Sequence, residues 1–403
     1  MDNASNCDAT AKELEKLFPD FKGMKWRLRC LLHILNLIVQ VRFLVLASNL
    51  TLRFTWQTIL SFFYKQYKRK KGAATGSADN AATTGDVDED DDEEEASEED
   101  AELASSAAEL AEEDAAATAT GESEHDENNT KTMKDRAIWE MRQRGVTFSL
   151  AEANECITLM TKIAGLARRL HDTPSTLGSA FDRFVDSAPP ENDNRRTLSR
   201  RVKTRWGSEH QCLEDHIVLQ AAVQALTSQT ELKLQAYRLT ARQWALAREL
   251  YDLLDLFAPL TNVFSQKETP LIVDVLDCLE RVKRNLSYIR DSPENARDEP
   301  ASPVIRVAAH AGLLMTEKYL SLTSEESEVY RIAIALTPDK KMAWFTRHSW
   351  SAADIAKVRA IILKRWDETY ALLPTVAVRA ESTEYSVSAD YLLSSHPTTY
   401  LDG

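Results

Sequence analysis

Three short runs of this chain combine residue types that could carry chemistry. Asp2-Asn3-Ala4-Ser5-Asn6 is a polar run led by a carboxylate. At the end of a strand, such a group can hold Mg²⁺ or Mn²⁺, hard ions that favour oxygen ligands. The plainer reading is a capping Asp at a frayed terminus. Cys30-x-x-His33 supplies two of the four ligands that a closed zinc site needs. Cys7 is the only other candidate nearby, so a buried cysteine and a hydrogen-bonded core histidine fit better. The third run is Arg195-Arg196-x-x-x-Arg200-Arg201-x-Lys203-x-Arg205-Trp206. Basic residues ending on a tryptophan suit a phosphate backbone with one stacked base, and a guanidinium forks onto phosphate. A solvated basic loop with Trp206 in the core explains the run equally well, and both readings stand at this point. A second basic run, Lys65-Gln66-Tyr67-Lys68-Arg69-Lys70-Lys71, offers another phosphate contact or a nuclear-import signal, unless it pairs with the acidic tract that follows.

The elements that must position these runs are mostly helical. Ser149-x-x-Glu152 and Thr240-x-x-Gln243 are capping-box patterns. Ile157, Met160, Ile163, Leu166 and Leu170 follow the first on one face. Trp244, Ala247, Leu250, Leu254 and Phe257 follow the second, with Pro259 as its stop. Cys212–Leu226 carries a stripe through Leu213, Ile217, Ala221 and Leu226. Thr269-Pro270 places proline at a first helical position ahead of Ile272, Val275, Leu279, Val282, Leu286 and Ile289. Ser351-x-x-Asp354 opens a last helix through Ile355, Val358, Ile362, Trp366 and Tyr370. Residues 131–375 thus read as an all-α domain with looser joints at 187–199, 291–303 and 337–340, and 376–403 as an irregular tail. In residues 1–71, Asp8 or Thr10 is placed to cap a helix through Leu17, Lys25–Arg29 alternates as one strand, and Leu31, Ile34, Leu35, Ile38 and Val39 recur at helical spacing.

Composition separates a body from an insert. The formal charge is −14, yet residues 72–130 hold 22 Asp or Glu and no Lys or Arg. Elsewhere 49 basic residues face 41 acidic ones, a mildly basic body. The tract is Ala, Ser, Thr, Gly, Asp and Glu with few large apolar side chains, so disorder is expected, with at most transient helix over 101–117. Five scattered cysteines make no disulfide framework and fit reducing surroundings. Acidic and basic residues crowd the N-terminus, unlike a secretory signal. The most apolar region, Leu31–Tyr64, is broken by polar and charged residues short of membrane-helix length. Gly-rich phosphate loops, Gly-x-Ser-x-Gly and His-Glu-x-x-His are all missing, and only 11 glycines weigh against nucleotide-binding folds.

Taken in order, these runs resemble the hAT family of DNA transposases, especially its fungal branch. The likeness is carried by Asp2-Asn3-Ala4-Ser5-Asn6, by Arg29-Cys30-Leu31-Leu32-His33-Ile34-Leu35-Asn36-Leu37-Ile38-Val39 and by Thr204-Arg205-Trp206-Gly207-Ser208. A weaker match runs from Phe257-Ala258-Pro259-Leu260-Thr261 to Lys340-Lys341-Met342-Ala343-Trp344-Phe345. The resemblance implies an RNase H-like α/β core split by a helical insertion domain, with two divalent ions held by two Asp and one Glu for in-line attack on DNA. It matches Asp2 to the second of those Asp residues, as both catalytic residue and metal ligand. It matches Trp206 to a tryptophan that stacks on a flipped base, and Cys30 and His33 to a pair beside the active site. It also implies residence in the nucleus.

The departures set the expectation for activity. Strands for the first Asp would precede Met1, and nothing in Ala371–Gly403 matches the family's motif for Glu. The family's N-terminal zinc finger and C-terminal dimerisation segment find no match, and Gly207-Ser208-Glu209 replaces the usual Asn-Ser-Thr. Val41–Gln57 interrupts a run that otherwise reads from Val39-Gln40 to Thr58-Ile59-Leu60, as an insertion or gene-model artefact would. One carboxylate of three cannot hold a metal pair in register. The expectation is therefore a mainly α, truncated hAT-type protein: a fragment of the core (1–71), an acidic disordered tract (72–130) and the insertion domain (131–375). It would use Mg or Mn only if the core were complete, would not cut DNA alone and would not enter a membrane. It would contact DNA through Arg195, Arg196, Arg200, Arg201, Lys203, Arg205 and Trp206. The alternative is a helical interaction protein whose acidic tract binds basic partners such as histones.

Overall fold

The computed structural model describes residues 5–18, 20–39, 59–64, 98–117, 124–190, 193–202, 206–266, 272–292 and 300–371. These residues are mainly helical and include no strand. The chain divides into two compact units, Met1–Ser349 and Trp350–Gly403, a boundary inside the range expected as one all-α domain. The first unit holds α1 (Ser5–Leu17), α2 (Leu31–Val39), α3 (Glu98–Ala117), α4 (Glu124–Gln143), α5 (Leu150–Asp172), α6 (Ser179–Ser187) and α7 (Trp206–Val218). It continues with α8 (Gln220–Thr227), α9 (Ala241–Asp255), α10 (Ala258–Phe264), α11 (Val275–Asp291), α12 (Pro303–Ser321), α13 (Glu328–Leu336) and α14 (Lys341–Arg347).

Its centre is α12, which no apolar stripe announces. Every residue from Val307 to Thr316 is buried, so this helix has no solvent face along that stretch. A helix apolar all round belongs inside a core. Its small residues let neighbours approach: a Cβ on Gly312 would stand 3.0 Å from Ile59 Cδ1 and 3.3 Å from Leu286 Cδ1. Helices α2, α4, α9 and α11 pack around it. Truncating a leucine such as Leu313 there would cost about 2–5 kcal/mol. The described part of the opening section belongs to this same core, since Ile59, Leu60, Phe62 and Phe63 are buried and the Phe63 carbonyl accepts from Met160 N–H at 3.0 Å.

Both capping boxes form as the sequence requires. Ser149 Oγ accepts from Glu152 N–H and opens α5, and Thr240 Oγ1 accepts from Gln243 N–H and opens α9. Met160, Ile163, Leu166 and Leu170 of α5 are buried, as are Trp244, Ala247, Leu250, Leu254 and Phe257. Pro259 ends no helix; it sits in the first turn of α10. Helix α11 begins at Val275 after a 3₁₀ turn, and Thr269-Pro270 lies outside the described residues. The stripe over Cys212–Leu226 breaks at Leu219, between α7 and α8, with Ala221 exposed. In the second unit, Ser351 Oγ accepts from Asp354 N–H and opens α15 (Ala352–Arg365). The tail 376–403 lies outside the described residues.

Three expectations for the earlier part of the chain need correction. Lys25–Arg29 is no strand: a 3₁₀ turn, Gly23–Trp26, leads into extended backbone with no partner strand among the described residues. Tyr330 takes that partner's place, its hydroxyl accepting from Arg29 N–H at 2.8 Å and donating to Arg29 C=O at 3.1 Å. Asp8 caps nothing, because α1 starts at Ser5; its carboxylate meets the buried Arg27 guanidinium at 2.7 Å. Within the tract expected to be disordered, 124–130 begins α4 and 98–117 forms α3, which buries Leu103, Ala107 and Leu110 against α5. The two helices touch where Ser106 crosses Gly165, at which an added Cβ would collide with Ser106 Oγ. The rest of the tract up to residue 97, the run Lys65–Lys71 and Val41–Gln57 lie outside the described residues.

One buried group ties this packing to pH. His216 of α7 is 1% exposed, and its Nδ1 bonds the Cys212 carbonyl at 2.8 Å. Burial pushes its pKa down to about 4. The unfolded chain takes up this proton near pH 6.5 while the folded chain refuses it, so stability is whole above about pH 6.5 and falls towards pH 4. Urea unfolding should show a loss of about 2 kcal/mol between roughly pH 7 and pH 5 from this group. His210 and His310, also lowered by burial, add to the slope. His216→Gln isolates its share: the variant's pH slope should be visibly flatter than the parent's.

Candidate nucleic-acid interface

The arginine run lies on an extended segment, 193–202, that leads into α7. Leu198 pins the middle of it, 1% exposed, with its carbonyl bonded to His171 Nε2 at 2.8 Å. Asp215 gathers both sides. This carboxylate is buried and accepts from Ser199 N–H at 2.7 Å, from Gln211 Nε2 at 3.0 Å and from the Arg195 guanidinium at 3.2 Å. Arg195 also meets Glu214 at 2.9 Å and Asp193 at 3.4 Å. The hydrogen bond to Glu214 raises the Arg195 pKa further above its ordinary range. A guanidinium shared by three carboxylates is a structural clamp.

Arg201 is committed in the same way. It is 8% exposed, lies over the Tyr64 ring at 5.2 Å and faces the buried Glu209 carboxylate at 3.8 Å. Tyr64 donates its hydroxyl to that same carboxylate at 3.3 Å. Ser208 of α7 ties the segment to that helix, accepting from Val202 N–H at 2.8 Å and donating to Val202 C=O at 2.9 Å. The other two arginines differ. The Arg196 side chain is 52% exposed and meets the exposed Asp186 at 2.5 Å. Arg200 is 43% exposed and reaches the exposed Asp172 at 3.5 Å. Pairs of this kind contribute little to stability, because water and salt screen them.

Trp206 is buried, as the core reading requires. Its ring stands edge-on to Phe257 at 6.0 Å and to His210 at 6.0 Å, and His210 stacks on Tyr251 at 4.8 Å. An indole held between these rings presents no free face to a base. Lys203 and Arg205 lie outside the described residues, as does Asp2. The four described arginines of the run face six carboxylates: Asp172, Asp186, Asp193, Glu209, Glu214 and Asp215. Sequence reasoning missed this balance, because those acids come from separate segments of the chain.

The cysteine–histidine pair sits at the start of α2. Cys30 is exposed, not buried as its sequence context suggested, and its carbonyl accepts from Ile34 N–H at 3.1 Å; His33 is half-buried. No cluster of three or more His, Cys, Asp or Glu suited to a metal ion occurs among the described residues. No helix among the described residues is long and apolar enough to cross a membrane. Comparison with family models, with curated proteins and with solved structures finds no match to this chain.

The two kinds of arginine should separate in unfolding experiments. Arg195→Gln strands the buried Asp215 carboxylate short of its guanidinium and should cost about 2 kcal/mol. Arg196→Gln should leave the urea midpoint where it is. Equal effects of both substitutions would contradict the division into clamp and surface residues.

Proposed function

We propose that the chain is a helical, hAT-transposase-type protein that binds DNA. In this reading Arg196 and Arg200 contact phosphates, helped by Lys203 and Arg205 from the same run. Arg195, Arg201 and Trp206 hold the segment in place. The observation that carries it is the contrast in commitment: Arg195 and Arg201 are built into buried carboxylates, while Arg196 and Arg200 rest on exposed ones. A phosphate can replace an exposed carboxylate at a guanidinium at small cost, since both accept its forked donors. The resemblance supplies the DNA and the nuclear setting.

A second reading is favoured by the six carboxylates around four arginines. Such a surface is not net basic, and a helical interaction protein whose acidic tract binds basic partners such as histones would look the same.

Fluorescence anisotropy with labelled DNA duplexes and hairpins tests the first reading. Binding should weaken with salt. Arg196→Gln with Arg200→Gln should reduce the log–log salt slope by about 1.8, since each neutralised phosphate adds roughly 0.9 to it. Failure to bind DNA even at low salt, with retention on immobilised histones, would replace this reading by the second.

A further inference from the structure

Helix α3 carries eight Asp or Glu and no basic residue, yet it lies on a basic face. Where Ser106 crosses Gly165, Glu102 and Glu109 reach to either side of the crossing. Glu102 meets Arg169 at 3.2 Å and accepts the Tyr237 hydroxyl at 3.0 Å; Glu109 meets Arg168 at 2.7 Å. This region joins the site described above, because Asp172 lies 3.4 Å from Arg168 and 3.5 Å from Arg200. On the other flank Lys162 donates to the Arg238 carbonyl at 3.0 Å, beside a cleft of about 880 Å³ lined by Lys162, Arg238, Trp244 and, from α3 itself, Glu99. Helix α3 is attached by one face, through Leu103, Ala107 and Leu110, with exposed acids at its start.

We propose that the face of α5 carrying Lys162, Arg168 and Arg169 is a contact surface for nucleic-acid phosphates, and that α3 occupies it in cis as an acidic stand-in. The proposal rests on the DNA-binding reading and extends it: Arg200 is the edge of a larger basic strip whose remainder α3 covers. Its carboxylates answer the guanidinium groups as phosphates would, so DNA and α3 compete for the same donors. An attachment made of a few apolar side chains and half-exposed ion pairs is one that a polyanion can displace.

The whole chain tests this by two routes. Leu103→Asp with Leu110→Asp removes the apolar grip of α3; Glu102→Gln with Glu109→Gln removes the stand-in charges but keeps the packing. Hydrogen exchange over 98–117 reports release, and anisotropy reports affinity for a labelled DNA duplex. Both variants should bind DNA at least about tenfold more tightly, with a salt slope steeper by about 1.8 for two further neutralised phosphates. Arg168→Gln with Arg169→Gln, added to either, should cancel the gain. Fast exchange over 98–117 with affinity and slope unchanged would overturn the proposal, as would a released chain that binds only a synthetic α3 peptide. Arg196 and Arg200 are read separately: if their substitution changes nothing while release of α3 still strengthens binding, the earlier reading fails and this one stands.

A second inference rests on another observation. Ile59 N–H donates to Ile38 C=O at 3.2 Å, although 40–58 intervenes between α2 and the described segment that follows. Removing Val41–Gln57 would place Ile59 four residues after Ile38, so the same bond would become an ordinary α-helical i to i−4 bond. We infer that α2 and 59–64, in which Leu60–Phe62 forms a 3₁₀ turn, are two parts of one helical path. A chain lacking 41–57 should fold with its Tm equal to or above the parent's, because no loop entropy then opposes closure, and the Ile59 amide should stay protected from exchange. A lower Tm or an unprotected Ile59 amide would refute it.

Discussion

Helix α12 imposes the constraint on which the first unit is organised. With Val307–Thr316 buried, each direction around its axis must be covered by another element. Gly312 and its neighbouring alanines set how close those elements come. Distant stretches of chain are therefore drawn into one core: α2 and 59–64 from the start, α4 from the middle, α11 from just before. Burial does this without direction. The directional part comes from polar groups led into that core and hydrogen-bonded across it. The His310 ring bonds the Glu140 carboxylate of α4 at 2.7 Å, and Lys134 of α4 donates to the Ser61 carbonyl at 2.9 Å. Burial lowers the Lys134 pKa to about 8, and its ammonium lies 4.5 Å from the Phe62 ring centroid.

Charge is distributed by the same logic of commitment. A guanidinium beside a buried carboxylate is fixed, because neither partner can return to water without exposing the other's unmet charge. A guanidinium beside an exposed carboxylate can exchange partners. Arg195 and Arg201 belong to the first kind; Arg196 and Arg200 belong to the second. The acidic tract enters this pattern through α3, whose carboxylates stand on guanidinium groups of α5. A basic body with an acidic insert is thereby turned inward on itself in the described residues.

Local signals were legible wherever the physics is local. Ser149 with Glu152 and Thr240 with Gln243 cap their helices because capping involves a single turn. The stripe through Met160, Ile163, Leu166 and Leu170 faces the core because helical period alone dictates it. Reading failed where the partner is remote. Lys25–Arg29 alternates like a strand, yet its backbone is satisfied by Tyr330, 301 residues beyond Arg29. Residues 98–117 look too polar to order, but Leu103, Ala107 and Leu110 fall on one face and find α5. Helix α12 passed unnoticed because a helix buried on every side has no polar face to mark its period.

What the sequence determined by itself is the helical class of the chain, most of its caps and joints, and the division between basic body and acidic insert. These follow from propensity, period and composition, which need no knowledge of neighbours. Only the tertiary structure decided that Trp206 is enclosed by Phe257 and His210, and which arginines are clamps and which lie at the surface. It also decided that the Ile59 N–H meets the Ile38 carbonyl. Each of these depends on which residue stands opposite, and that is fixed by packing across the whole chain, not by spacing along it.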